Sequence, residues 1–238
     1  MGMVTRVRSA FLKVKNGLFL ISNPNGDYVD TLKDGTQKTY QSSEGFDTYL
    51  KWVKYDDRDT NKFGDQWIFE FVDDAGECFT MQLKSNSATA FGLLNRLASI
   101  EKLGMLELTA SKSTVDIKGS PVVFTHIWVK NVIGKTFTEA KGLYAKENIP
   151  QPVPIKDEFG KPIMKDGLPM QSYAAKIKFF RENILPLIQE RVGKTTVANA
   201  DVEFDTDPDT EYHIQEEPVA KKESSIFDNS DDEDGVPF

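Results

Sequence analysis

The chain contains one cysteine, Cys78, so no disulfide can form within it. It has two histidines, His126 and His213. With so few nitrogen and sulfur ligands a metal site is not expected, and the lone thiol fits a reducing, cytoplasmic setting. Long apolar runs are missing too. The longest, Leu18-Phe19-Leu20-Ile21, falls far short of the ~20 residues of a membrane span. Met1 to Ala10 lacks the apolar stretch of a secretory signal. No membrane partner and no cofactor are expected.

The chain does carry enough for a core. Of its 238 residues 39% are hydrophobic, with 16 Phe, 7 Tyr and 3 Trp. That places it above the disordered range and allows one large domain with extensions. The formal net charge of −8 hides an uneven distribution. From Ala200 to Phe238 there are 14 acidic residues and two basic ones, Lys221 and Lys222, which gives −12. The remainder holds 27 bases and 23 acids, or +4. A mildly basic body therefore precedes a strongly acidic segment. That segment has too few large apolar residues to offset its ordering entropy, and it is read as disordered. Such a segment serves either to keep a protein soluble or to interact, for example as a counter-ion for the body's own basic face.

Along the chain, Ala10–Lys15 and Leu18–Ser22 flank Asn16-Gly17, the signature of a hairpin with a type I′ turn. Residues 23–45 are polar and turn-rich, and read as loop with at most a short strand. Phe46–Tyr55 is aromatic and strand-prone, and Asp56–Asp65 is a charged loop. Gln66–Val72 and Cys78–Lys84 are strands joined by Asp73-Asp74-Ala75-Gly76. In the second, Phe79, Met81 and Leu83 alternate with polar residues, and Trp67, Phe69 and Phe71 are assigned to the core with them. Ser85 or Ser87 can cap a helix over Ala88–Leu103, with Gly104 as its stop. Met105–Ser111, Thr114–Lys118 and Val122–Val132 read as further strands. Residues 149–170 hold five of the eleven prolines and form an extended arm or paired loop. Ser172–Val192 is a last helix, kinked or ended near Ile184 by Pro186. It either packs on its own body or pairs between subunits, so a homodimer is open.

Several strands, one helix, then more strands is the succession of a mainly β, OB-type fold, a five-stranded Greek-key barrel with its helix between the third and fourth strands. The expected organisation is an OB-type domain over 1–148, the Pro-rich arm over 149–170, a C-terminal helical segment over 171–199 and the acidic tail over 200–238.

No catalytic constellation is found, and the chain is not expected to be an enzyme. Gly193-Lys194-Thr195 and Gly134-Lys135-Thr136 look like the end of a phosphate-binding loop, but Ile188 and Val129 stand where the first glycine is required. Neither histidine has a nucleophile nearby in sequence. Asp56-Asp57-Arg58-Asp59 matches no calcium-loop spacing.

Lysines and aromatics do alternate. Leu50–Tyr55 places Trp52 and Lys54 on one face, and Thr125–Lys130 places His126, Trp128 and Lys130 on one face with Ile127 and Val129 on the other. Flat rings stack on splayed bases while lysines pair with phosphates, a combination suited to single-stranded nucleic acid. The candidate contacts are Trp52, Lys54, Tyr55, Arg58, Lys62, Lys84, Lys112, Lys118, His126, Trp128 and Lys130.

The chain ends Asp231-Asp232-Glu233-Asp234-Gly235-Val236-Pro237-Phe238. An acidic run closing on an aliphatic residue, Pro and a terminal Phe resembles the tip of bacterial single-stranded DNA-binding proteins, with Glu233 and an inserted Gly235 as departures. In the body, Phe11-Leu12-Lys13-Val14-Lys15-Asn16-Gly17, the strand pair within Trp67–Leu83 and the helix over Ala88–Leu103 are similar to phage-encoded proteins of the same kind. The resemblance implies sequence-independent single-stranded DNA binding in replication, recombination or repair, in a bacterial or phage-infected host cytoplasm. It further implies recruitment of replication or recombination proteins (a polymerase, helicase, primase or nuclease) through the tip. There Val236, Pro237 and Phe238 would dock, and Asp231, Asp232, Glu233 and Asp234 would steer. The rival expectation is a non-enzymatic adaptor or DNA-mimicking anti-host protein that uses the same scaffold to bind protein.

Overall fold

A computed structural model of the chain describes residues 9–192, without 33, 58–63, 118–119 and 166. The acidic segment over 200–238 with its tip, and the candidate contacts Arg58, Lys62 and Lys118, lie outside the described residues.

The protein is mainly β, with a C-terminal helical segment. Among the described residues ten strands form one sheet: β1 (Ala10–Lys15), β2 (Leu18–Ser22), β3 (Tyr28–Thr31), β4 (Gln37–Ser43), β5 (Gly45–Asp56), β6 (Gln66–Val72), β7 (Cys78–Lys84), β8 (Met105–Ile117), β9 (Ser120–Ile133) and β10 (Thr136–Glu139). Their order across the sheet is β10-β9-β8-β5-β6-β7-β1-β2-β4-β3. Asn16 at φ 53° and Gly17 at φ 75° make the expected primed turn between β1 and β2. β6 and β7 lie within their expected bounds, and Phe79, Met81 and Leu83 face the core beside Trp67, Phe69 and Phe71.

β5 is the bend of the sheet. Gly45–Thr48 pair with β8, and the rest of the strand pairs with β6. A bulge at Lys51, where the register shifts between Leu50 and Trp52, inserts one extra residue. The shift exchanges the faces. Before it the even residues Thr48 and Leu50 point inward, and after it Val53 and Tyr55 do, which sends Trp52 and Lys54 outward.

The succession β5-β6-β7-helix-β8-β9 has the expected order of strands, helix and strands, and β8 returns beside β5. The closed five-stranded barrel is not found among the described residues. No ladder joins β9 to β7, and the sheet is open, with β10 and β3 at its edges. The N-terminal hairpin takes the place beside β7, where β1 pairs in parallel. Its turn approaches the other end of the sheet, with the Gly17 N–H donating to Thr125 Oγ1 at 3.2 Å. A Cβ on Gly17 would lie 2.7 Å from the Lys112 backbone nitrogen, so only glycine permits this approach.

Three further expectations are corrected. Residues 23–45 carry two strands, β3 and β4, where a loop with at most a short strand was expected; β3 is the edge of the sheet and β4 lies between it and β2, and their polar residues leave little periodic signal. The helix ends early, as α1 (Ala88–Leu97), where the Ser99 hydroxyl donates to the Arg96 carbonyl. Of the two candidate caps Ser87 serves, accepting from the Ala90 N–H at 3.1 Å. The expected break after 111 is absent, and Met105–Ile117 is one continuous strand, β8.

The Pro-rich stretch is a paired loop, held by two short ladders, β11 (Val153–Pro154) with β14 (Gln171–Ser172) and β12 (Met164–Lys165) with β13 (Leu168–Pro169). The last helix runs as α2 (Ala174–Phe179), a π turn over Phe180–Ile184 and α3 (Leu185–Val192). Pro186 cannot donate to the carbonyl four residues back. The backbone widens just before it, and the Leu185 N–H bonds the Phe180 carbonyl.

The segment packs on its own body. Phe180, Ile184 and Ile188 are fully buried with α1 and the sheet in one core, and Gln189 Nε2 donates to the Val53 carbonyl. Each such side chain contributes about 1.5–3 kcal/mol by leaving water. No helix among the described residues is long and apolar enough to cross a membrane.

Candidate nucleic-acid interface

From His126 to Lys130 β9 alternates. Ile127 and Val129 are buried in the core, while His126 is half-buried and Trp128 and Lys130 are exposed on the opposite face. The register with β8 places Thr109 beside Trp128, Ser111 beside His126 and Glu107 beside Lys130. Trp128 keeps 43% of its surface exposed. It is nevertheless fixed in place. The indole Nε1–H donates to Ser111 Oγ at 2.9 Å, and the Arg96 guanidinium lies over the ring at 4.5 Å from its centroid. His126 Nε2 shares a hydrogen bond of 2.8 Å with Ser113 Oγ.

Arg96 comes from the last turn of α1, and the sequence reasoning missed it. α1 supplies it by packing against β9, where Thr89 Oγ1 donates to the Thr125 carbonyl at 2.7 Å. Gly92, one turn earlier, leaves the guanidinium its room; a Cβ there would sit 3.1 Å from Nη1. Burial lowers the Arg96 pKa, opposed by Glu139. Its Nε is buried without a hydrogen-bond partner among the described residues. The cation is thus held against the ring with part of its donor capacity unspent. Burial, and secondarily Arg96, push the His126 pKa down, which favours the neutral imidazole.

Lys130 is less available than its exposure implies. Glu107 Oε1 accepts from its ammonium at 2.7 Å, which raises its pKa, and Glu139 faces it from β10. The cation that serves Trp128 is therefore Arg96.

A second aromatic face lies on β5, two places along in the sheet order. Trp52, Lys54 and, through the β5-β6-β7 register, Lys84 share one side. Trp52 is half-buried, with the Lys54 ammonium 5.2 Å from its ring centroid. Beneath them Glu70 is buried, with Lys51 donating to it at 2.8 Å.

Comparison with family models, curated proteins and solved structures gives no match.

Two candidates fall elsewhere. Tyr55 is on the core side. Its ring packs edge-on against Trp67 at 4.7 Å, Arg181 covers it at 4.6 Å, and its hydroxyl donates to Asp65 at 2.8 Å. Burial and then the Asp65 bond push its pKa up to about 12. With neighbours on the ring and on the hydroxyl, it is a structural residue of the sheet. Lys112 pairs with Thr125, so it alternates to the side opposite His126, Trp128 and Lys130. Among the described residues no three His, Cys, Asp or Glu side chains gather to hold a metal ion.

The one sequence signal for Arg96 was a cation in the last turn of an otherwise apolar helix, Phe91-Gly92-Leu93-Leu94-Asn95-Arg96-Leu97. Nothing local says which strand it reaches.

Proposed function

We propose that this chain binds single-stranded DNA without reading its sequence, as a non-enzymatic coating protein of replication, recombination or repair. On this reading β5-β6-β7-α1-β8-β9 is an OB-type unit that the N-terminal hairpin extends. The observation that carries the reading is Trp128, exposed on a sheet face, pinned by Ser111 and overlaid by Arg96. A fixed ring with an adjoining cation offers a stacking surface and a phosphate partner in one place, and it is sequence-tolerant because every base has a π-face. Trp52 with Lys54 repeats the arrangement on β5. The rival reading, a protein-binding adaptor, draws on the arm, where Val153, Phe159 and Met164 are exposed.

Titration with oligo(dT), read by tryptophan fluorescence, tests the proposal. Binding should be tight to single strands and weak to duplex, and should weaken with salt as phosphate contacts release counterions. Equal affinity for duplex would reduce the effect to generic charge attraction, and no binding would favour the adaptor.

In the same reading the acidic segment regulates the interface and its tip recruits replication or recombination proteins. Removing residues 200–238 deletes a charge of −12 that competes with phosphate from a tether. Affinity for oligo(dT) should rise, most at low salt where screening is weakest. Removing only Val236, Pro237 and Phe238 deletes no side-chain charge. It should leave DNA affinity unchanged and abolish partner capture, because Phe238 is the anchor. A pull-down in which the three-residue deletion still recruits its partners would refute the assignment of the tip.

A further inference from the structure

A cleft of about 340 Å³ opens at the end of β6 and β7, away from Trp128. Three distant segments build it. Asp65 enters from just ahead of β6, Lys84 from the end of β7 and Asn86 from its connection to α1, and Gln171 and Tyr173 from β14 and the residue that caps α2. Its volume is in the range of small-ligand sites.

The lining is specific in chemistry. Tyr173 forms a flat wall, held roughly parallel to Phe91 with an interplanar angle of 15° and centroids 6.4 Å apart. Asn86 is half-buried, and among the described residues its side-chain amide has no hydrogen-bond partner. The amide of Gln171 donates to the Pro169 carbonyl at 3.3 Å, leaving its oxygen to accept. Asp65 accepts from the Tyr55 hydroxyl at 2.8 Å and puts a carboxylate in the cleft. Lys84 lines the cleft as well, so one carboxylate and one ammonium border it. A neutral heterocycle with N–H donors and ring acceptors suits it, and asparagine and glutamine amides match base edges because each carries a donor and an acceptor in one plane. Lys84, exposed at the rim, lies on the face it shares with Trp52 and Lys54. A strand crossing that face passes the mouth of the cleft.

We infer that the cleft accepts a single nucleobase of the bound strand, its edge read by the Asn86 and Gln171 amides against the Tyr173 ring. The inference rests on the single-stranded DNA reading and deepens it. It gives an otherwise sequence-tolerant surface one position with a base preference.

The test uses the full chain, isotope-labelled, with deoxyadenosine and thymidine as probes and inorganic phosphate as the contrast. A nucleoside should shift the side-chain amide resonances of Asn86 and Gln171 saturably, one nucleoside more strongly than the other, and Asn86→Ala should weaken that binding about tenfold. Gln171→Ala, in a different segment, should do the same if the first variant disturbs the cap of α1. Nucleosides that leave both amides unmoved overturn the inference, as does phosphate moving them instead. A parallel oligo(dT) titration separates the two levels. Oligo(dT) binding with the cleft amides still unmoved refutes the cleft and leaves the strand-binding reading intact. Nucleoside capture without oligo(dT) binding refutes the strand-binding reading, and with it the claim that the base belongs to a strand.

Discussion

Phe180→Ala should cost about 3–5 kcal/mol of stability, the range for removing a fully buried aromatic side chain. The ring is buried at 0% exposure, 4.9 Å from Phe91 of α1 and 5.9 Å from Phe179. It sits in the π turn, which aligns it with Ile184 and Ile188 toward the body. The three side chains cover core residues of α1 that would otherwise meet water. The Arg191 guanidinium closes the far end by donating to the Ala98 carbonyl. Domains of this kind are stable by about 5–15 kcal/mol in total, so one such truncation removes a large share. In urea the midpoint should fall steeply with little change in slope. A loss below about 1 kcal/mol would mean that the helical segment does not pack on its own body, and would restore the alternative in which it pairs between subunits.

The hairpin, the β6–β7 pair and the paired arm were legible because their signals are local. Asn16-Gly17 fixes a turn by backbone conformation, the alternation over Cys78–Lys84 fixes which side is buried, and the prolines of 149–170 exclude a helix. The sheet's closure was not legible, because it depends on which distant strand lies beside β7. That place goes to β1, through three residue pairs about seventy positions apart in sequence. The side on which a candidate falls was legible only where the alternation is unbroken. It holds for His126, Trp128 and Lys130 on β9. On β5 the bulge at Lys51 resets it: Leu50 points inward, yet Trp52 and Lys54, two and four places on, point outward, and Tyr55 turns inward beside Trp67. Arg96 was invisible for a related reason. Its value lies in a contact between the end of a helix and a strand some thirty residues later.

Trp128→Ala should lower affinity for oligo(dT) by about 1–3 kcal/mol while the fold persists. The fold tolerates the change because the ring lies outside the core. Ile127 and Val129 hold β9 from the other side, and what is lost is one hydrogen bond to Ser111 and the contact with Arg96. Stacking is not ionic, so the salt dependence of binding should keep its slope. Arg96→Ala should behave differently. It removes a cation that pairs with phosphate, so both affinity and slope should fall, the slope by about one unit. Arg96→Lys keeps the charge but not the planar group that lies on the ring, and should restore the slope without restoring full affinity. Because guanidinium and indole hold each other in place, the two alanine changes together should cost less than their sum. Unfolding of the Trp128→Ala protein would make the residue part of the core. An unchanged affinity in a folded Trp128→Ala protein would remove the platform from the binding surface, leaving Trp52 and Lys54 as its only aromatic-cation pair among the candidates.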